Sequence, residues 1–79
     1  MSSNISKQER KKLIEIGKKV QQLRKEQGGI GYEKFARTIN MNKNTYNRIE
    51  KAEGDFSVLK LLKIISYYNI SLEEFFRDL

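Results

Sequence analysis

Four polar side chains recur at helical spacing within one short stretch of the chain. They are Lys43, Asn44, Asn47 and Arg48. On a helix with about 100° between successive residues they share one arc of about 140°, and Tyr46 and Ile49 fall on the opposite side. Lys and Arg donate hydrogen bonds to guanine O6 and N7, and an Asn amide pairs with adenine N6 and N7. The arc therefore predicts a short amphipathic helix whose outer face suits base edges in a DNA major groove.

A solvated surface is the ordinary alternative for the same stretch. Residues 39–51 hold four asparagines, a residue type that is common in loops. A helix face that only meets water usually carries Glu, Lys or Gln, so each Asn on the outer arc costs a few tenths of a kcal/mol, roughly, in helix propensity. That cost favours a binding function. We expect Asn40 to make a turn and Asn42 to cap the helix, which leaves two asparagines for recognition.

The composition excludes several kinds of function. The chain has 79 residues, enough for one small domain, and contains neither Cys nor His. It therefore lacks a disulfide, a thiolate ligand and the usual general base, and no carboxylate or Ser constellation is visible, so we expect neither an enzyme nor a cofactor.

The longest apolar-rich run, residues 58–65, falls far short of the roughly 20 residues that span a bilayer. Together with the missing signal peptide, this predicts a protein without membrane contact, and the absence of Cys suits a reducing cytoplasm.

Charge is distributed unevenly along the chain. The net charge of +6 combines +8 over residues 1–51 with −2 over residues 52–79. A basic first part indicates an anionic partner such as nucleic acid, although a solubilising surface would have the same composition. No aromatic platform appears among the basic residues, which disfavours RNA.

Capping signals and apolar spacing predict five helices in one domain over residues 6–79, after a flexible segment of residues 1–5. Ser6 and Glu9 form a capping box for a first helix that ends at Gly28-Gly29. Its first turns, with Arg10, Lys11 and Lys12, are expected to be exposed. Its apolar stripe is Leu13, Ile16, Val20 and Leu23, flanked by Gly17, where a second helix can approach closely. A second helix is expected from Tyr32 to Ile39 and a third after Asn42, running to Lys51.

The last two helices are predicted from Ser57 and from Ser71. Ser57 is a suitable N-cap, and Ser71 with Glu74 forms another capping box. For the fourth helix we expect Leu59, Leu62 and Ile65 in the core, with Leu61 and Tyr68 as further candidates. For the fifth helix, we expect Leu72 and Phe75 to complete the core.

One segment of the chain resembles a known family. The sequence "GIGYEKFARTINMNKNTYNRIE", residues 29–50, has Phe35-Ala36, a turn at Asn40, an apolar Met41 and a closing Ile49-Glu50. This pattern resembles the phage-repressor-like helix-turn-helix family, of the lambda repressor and Cro type, and the resemblance extends over residues 13–76. It implies an all-α, compact, five-helix lambda-repressor-like domain. It also implies that helices 2 and 3 form the motif and that helix 43–50 lies in the major groove.

The resemblance also implies roles for individual residues. The four polar side chains of the outer arc match positions that face bases. Tyr32 matches the first residue of the preceding helix, where the family usually has a Gln that touches phosphate. Further candidates for phosphate contact are Asn42, Thr45, Lys51, Lys18 and Lys34, with Lys19 and Arg37 as additional basic residues. Arg24 and Glu50 match a structural ion pair of the family.

Some positions depart from the family pattern. Tyr32 replaces the Gln, so its phenol either donates to phosphate or packs. Gly31 replaces the usual Ser or Thr cap, and Tyr46 replaces a small aliphatic residue. The loop after the third helix carries Glu53 and Asp55, which predicts weaker phosphate holding at that edge.

Two functions from different classes follow from these observations. The first is a sequence-specific regulator of transcription, a repressor, that binds double-stranded DNA at a palindromic operator. Such a protein would act as a homodimer, with Phe76 and Leu79 of the last helix as contact candidates, because one short helix reads few base pairs. The second is an antitoxin or protein-interaction module of the same fold, with a protein partner. Retention of Lys43 and Arg48 on the outer arc disfavours the second.

Overall fold

Five helices make up the fold, as predicted. The computed structural model describes residues 5–77 and 79, and within them all regular structure is helical. The helices are α1 Lys7–Glu26, α2 Tyr32–Thr38, α3 Lys43–Lys51, α4 Val58–Tyr67 and α5 Leu72–Arg77. Four of the five residues predicted to form a flexible start, residues 1–4, lie outside the described part of the chain.

The predicted caps begin the helices. The Ser6 hydroxyl accepts from the Glu9 amide at 3.1 Å, and the Glu9 carboxylate accepts from the Ser6 amide at 2.9 Å, which completes a capping box. Ser57 accepts from the amide of Lys60, and Ser71 and Glu74 bond reciprocally at the start of α5. Each bond satisfies an amide that the helix itself leaves without an acceptor. Local sequence therefore determines where these helices begin.

A tight turn joins α2 to α3. Asn40 adopts φ 58°, the left-handed region that Asn tolerates better than most residues. The Met41 amide then donates to the Ala36 carbonyl at 2.8 Å, and the chain enters α3 at Asn42. The turn assigned to Asn40 is thus confirmed.

Helices α1 and α3 cross in close contact at Gly17. A Cβ atom at this position would lie 2.6 Å from the backbone carbonyl oxygens of both Ile49 and Glu50. Real Cβ atoms essentially never approach backbone so closely, so only glycine permits this crossing. The contact expected at Gly17 is present, and it positions the C-terminal half of α3.

The core contains one face of each helix. Its fully buried large side chains are Tyr46, Phe35, Phe75, Ile49, Ile64, Ile65 and Val20. Phe35 lies at the centre of an aromatic group, with ring centroids 5.1 Å from Tyr46 and 5.4 Å from Tyr68. Burial of these side chains from water supplies the main driving force for folding.

The prediction for the inner face of α4 was partly wrong. Ile65 and Leu61 are buried, but Leu59 is 64% exposed and Leu62 is 37% exposed. Ile64, which was not singled out, is completely buried. The buried face follows the spacing Leu61, Ile64 and Ile65, whereas Leu59 and Leu62 lie on a second apolar face. Because α4 is apolar on both faces, periodicity alone could not identify the side that packs.

Two basic residues of α1 bind carbonyls at helix ends. The Arg10 guanidinium donates to the carbonyl of Ala52, which ends α3 in a left-handed conformation, and to that of Gly54 at 3.3 Å. The Lys19 ammonium donates to the Phe75 carbonyl at 2.7 Å and lies over the Phe75 ring. Exposure had been expected for Arg10 and phosphate contact for Lys19. Both instead complement the partial negative charge of helix ends.

Two tyrosine hydroxyls are buried against the core. Neither Tyr46 Oη nor Tyr68 Oη has a hydrogen-bond partner of regular geometry among the described residues. Burial raises the pKa of the Tyr46 hydroxyl far above its ordinary value, helped by the neighbouring Glu50 carboxylate. Burial likewise raises the pKa of Tyr68 to about 12. The folded protein therefore retains both protons at a pH where an unfolded tyrosine loses its proton.

We expect the free energy of unfolding to decrease between pH 10 and pH 12. In that range the unfolded chain releases tyrosine protons that the folded chain keeps, so rising pH favours unfolding. Well below pH 10 both states are protonated at these groups, and they add no pH dependence. Urea unfolding at a series of pH values measures the effect. Tyr46→Phe removes one of the two groups and should make the decrease shallower; an unchanged slope would contradict the assignment.

Candidate nucleic-acid interface

Helix α3 packs against both α1 and α2 and exposes its remaining face to solvent. Tyr46 is fully buried and Ile49 nearly so, which fixes the rotation of the helix about its own axis. The Asn42 side chain caps the helix by accepting from the amides of Asn44 at 2.8 Å and Thr45 at 3.3 Å. The inner face and the first residue of the helix are thus defined, and so are the positions from which its outer side chains extend.

A bidentate ion pair ties α3 to α1. Arg24 Nε lies 2.7 Å from Glu50 Oε2, and Arg24 Nη2 lies 3.0 Å from Glu50 Oε1. The Arg24 Nη1 atom also donates to the Ile30 carbonyl at 2.7 Å. The two side chains are only 11% and 4% exposed, and hydrogen bonding to Glu50 raises the pKa of Arg24. The pair suggested by the family resemblance is therefore formed, and it also holds the loop before α2.

The four side chains expected to face bases lie together on α3. Lys43, Asn44 and Arg48 are exposed, and Asn47 is half-buried. Among the described residues, the side chains of Asn44, Asn47 and Arg48 form no hydrogen bond or ion pair. Their donor and acceptor groups are thus available to an external ligand, and the exposed ones share the face that α1 and α2 leave uncovered.

Lys43 differs from its neighbours because it already has a partner. Its ammonium lies 3.0 Å from Glu33 Oε2, with the side chains 55% and 54% exposed. The pKa of Lys43 is raised, mainly by this hydrogen bond and secondly by the negative charge of Glu33. The pair bridges α2 and α3 beside a hollow that Arg37, Asn40, Met41 and Asn42 also line. Sequence reasoning missed Glu33, since no local pattern relates two residues ten positions apart.

The residues expected to contact phosphate occupy different surroundings. Lys34 on α2 and Lys51 at the end of α3 are exposed, and Thr45 is half-buried. The side-chain oxygen of Asn42 accepts the two capping hydrogen bonds, and its side-chain NH₂ group remains available as a donor. Tyr32 is partly buried and packs against the core. Of the two roles considered for this tyrosine, the structure therefore favours packing.

Lys18 lies apart from the other candidates. It lines a groove on α1 together with Glu15, Glu26 and Leu79, and no residue of α3 lines that groove. Glu15 and Glu26 line the same groove, and their negative charges make this surface less attractive to phosphate. The position of Lys18 therefore argues against direct participation in an interface centred on α3.

Comparison with known proteins identifies the class. A family model described as helix-turn-helix matches residues 20–75, which include α2, the turn and α3, and the chain belongs to this helix-turn-helix family, of the Cro/C1 type. The chain is also 35% identical over 66 residues to the control protein C.MunI from Mycoplasma sp, covering 84% of this chain and 89% of that protein. No solved structure matches it significantly. The fold, the family and this similarity define a DNA-binding regulator of transcription.

Within residues 5–77 and 79, no helix is both long and apolar enough to cross a membrane. In the same part of the chain, Asp and Glu side chains do not gather in groups of three or more that would suit a metal ion.

Proposed function

We propose that the protein regulates transcription by reading specific base pairs in the DNA major groove with residues 43–50 of α3. In this proposal Lys43, Asn44, Asn47 and Arg48 contact base edges. The residues proposed for phosphate contact are Asn42, Thr45, Lys51 and Lys34. The protein acts by binding and not by catalysis, as a repressor located with the DNA in the cytoplasm. Similarity to a protein named as a control protein supports the regulatory role.

One observation carries the proposal: the inner and outer faces of α3 are sharply separated. Tyr46 and Ile49 are buried, whereas Asn44 and Arg48 are exposed and their side chains have no partner among the described residues. A helix that served only to close the core would gain stability from intrahelical ion pairs or better helix formers at those positions. The side chains present instead have the donors and acceptors that base edges require.

Selection of bound sequences from random duplex DNA tests the proposal. We expect enrichment of one motif with two-fold symmetry, including guanine and adenine positions that suit Lys, Arg and Asn. Enrichment should be lost when Asn44, Asn47 and Arg48 are all replaced by alanine. If the intact protein enriched no sequence at moderate salt, the alternative of an antitoxin or protein-interaction module would be preferred.

The DNA-reading proposal includes a homodimer. One helix the length of α3 contacts only a few base pairs, so two copies on a palindromic operator give useful specificity. Phe76 on α5 is 42% exposed and remains a candidate contact, whereas Leu79 packs partly against the core. A larger apolar surface lies on α4, where Val58, Leu59 and Leu62 are exposed. We propose that this second face of α4, which we name the α4 outer face, packs against the same face of a second copy.

Replacing Leu62 by Asp should therefore shift the protein from dimer to monomer. A charge at an interface centre must be desolvated without a partner, which typically weakens association at least about tenfold. Sedimentation at several concentrations measures the change, and binding to a palindromic duplex should weaken together with dimerisation. Ile14→Asp alters an exposed apolar residue of α1 and serves as the control. If the Leu62→Asp variant associated as strongly as the wild type, the α4 outer face would be excluded as the dimer interface.

A further inference from the structure

Glu33 is the one carboxylate among the described residues that bonds an outer-face side chain of α3. It lies in the first turn of α2 and reaches across to Lys43 at the start of α3, with 3.0 Å between Oε2 and Nζ. Both side chains are more than half exposed, so the pair does not belong to the core. Its location at the boundary of α2 and α3 places a negative charge beside the surface that would meet DNA.

A carboxylate in that position has an unfavourable effect on general DNA affinity. DNA presents a dense row of phosphates, and binding without sequence preference depends on Lys and Arg contacts to them. If Lys43 turned away to a phosphate, Glu33 would remain close to the polyanion without its cation. The Lys43–Glu33 pair therefore weakens binding of Lys43 to phosphate, a contact that DNA of any sequence offers.

Contact with a base edge does not carry the same penalty, because guanine O6 and N7 are uncharged acceptors and the Glu33 carboxylate does not repel them as it repels a phosphate. An ammonium has three N–H donors, and Glu33 uses one of them. Lys43 can therefore keep its bond to Glu33 while another N–H donates to guanine O6 or N7. In that arrangement the carboxylate remains neutralised and also holds the flexible Lys side chain in the orientation that the base requires.

We propose that Glu33 is a specificity-determining residue, which restrains Lys43 from phosphate and directs it toward a guanine in the groove. The inference rests on the proposed function, because it assigns a role within the same DNA interface. It implies that Glu33 lowers the affinity for DNA in general while raising the preference for the operator.

The substitution Glu33→Gln tests this role with two duplexes. One is the sequence selected by the wild-type protein, and the other is a shuffled duplex of equal length and composition. We expect affinity for the shuffled duplex to rise about tenfold and affinity for the selected duplex to rise less than about threefold, so discrimination falls. The dependence of log K on log salt for the shuffled duplex should become steeper by about 0.9. Fluorescence anisotropy titrations at several salt concentrations measure both quantities.

Two variants separate this role from a simple change in net charge. Glu53→Gln removes one exposed negative charge from the loop after α3, away from Lys43, and should raise both affinities by the same factor. In a Lys43→Gln background, Glu33→Gln should no longer alter discrimination, because the residue it restrains is absent. Circular dichroism establishes that each variant is folded.

Each outcome has a distinct meaning. If Glu33→Gln changed both affinities equally, as Glu53→Gln should, the role of Glu33 would be rejected while sequence-specific binding by α3 stood. If the wild-type protein bound all duplexes with equal affinity, the proposed function itself would be rejected. Reduced discrimination that depends on Lys43 supports the proposal for Glu33.

Discussion

Replacing Arg24 by Met is expected to lower the free energy of unfolding by about 3 kcal/mol. The Glu50 carboxylate, only 4% exposed, would lose both guanidinium hydrogen bonds, and the Ile30 carbonyl would lose its donor. A buried charge left without a partner costs more than the original pair contributed. Because a small domain has a total stability of about 5–15 kcal/mol, such a loss is readily measured by urea unfolding.

Two controls identify the origin of this effect. Arg24→Met with Glu50→Leu removes both charges and should recover much of the lost stability, since an apolar pair of similar volume leaves no unpaired ion. Lys12→Met breaks the exposed Lys12–Glu15 pair and should change stability by at most about 0.5 kcal/mol. If Arg24→Met were as stable as the wild type, the pair would have no structural role.

The second large effect is expected from Arg48→Ala, which should reduce discrimination at one operator position by about 1–3 kcal/mol. Arg48 is exposed on α3 and its side chain has no partner among the described residues, so its removal should not disturb the core. A guanidinium that contacts guanine O6 and N7 supplies two directed hydrogen bonds, both of which alanine lacks. Titration of duplexes that differ at single base pairs would show which position loses its preference.

Loss of a phosphate contact should have a different signature. Lys34→Ala should weaken binding to all duplexes similarly and reduce the salt slope by about 1. Lys18→Ala removes an equal charge from the groove near Glu15 and Glu26, and its effect should be smaller. An Arg48→Ala variant with unchanged preference at every position would contradict the assignment of α3 as the recognition helix.

Some features of this structure can be predicted from the sequence and others cannot. Capping boxes, the Asn40 turn and the Asn42 cap involve residues within a few positions of one another, and all form as predicted. The alternation of apolar and polar side chains along α3 likewise indicated Tyr46 and Ile49 as its inner face. Local chemistry and helical periodicity are sufficient for such features because both partners lie on one short segment.

Contacts between distant segments were less predictable. Arg10 was expected in solvent, yet it donates to the carbonyls of Ala52 and Gly54. No sequence pattern marked Glu33 as part of the interface, because its bond to Lys43 joins two different helices. Long basic and acidic side chains reach several ångströms in many directions, so their partners depend on where the helices cross. The Arg24–Glu50 pair was expected only because the family resemblance supplied that crossing.

The sequence by itself determined the helices, their caps, the turn before α3 and the polar outer face of α3, because these depend on residues close together in the chain. Only the tertiary structure decided which apolar face of α4 is buried. Leu59 and Leu62 fit a helical stripe as well as Leu61 and Ile64 do, and the choice between them depends on how α4 packs in the assembled fold. The tertiary structure also brought Glu33 to Lys43, since that distance depends on the angle between α2 and α3 and not on either helix alone.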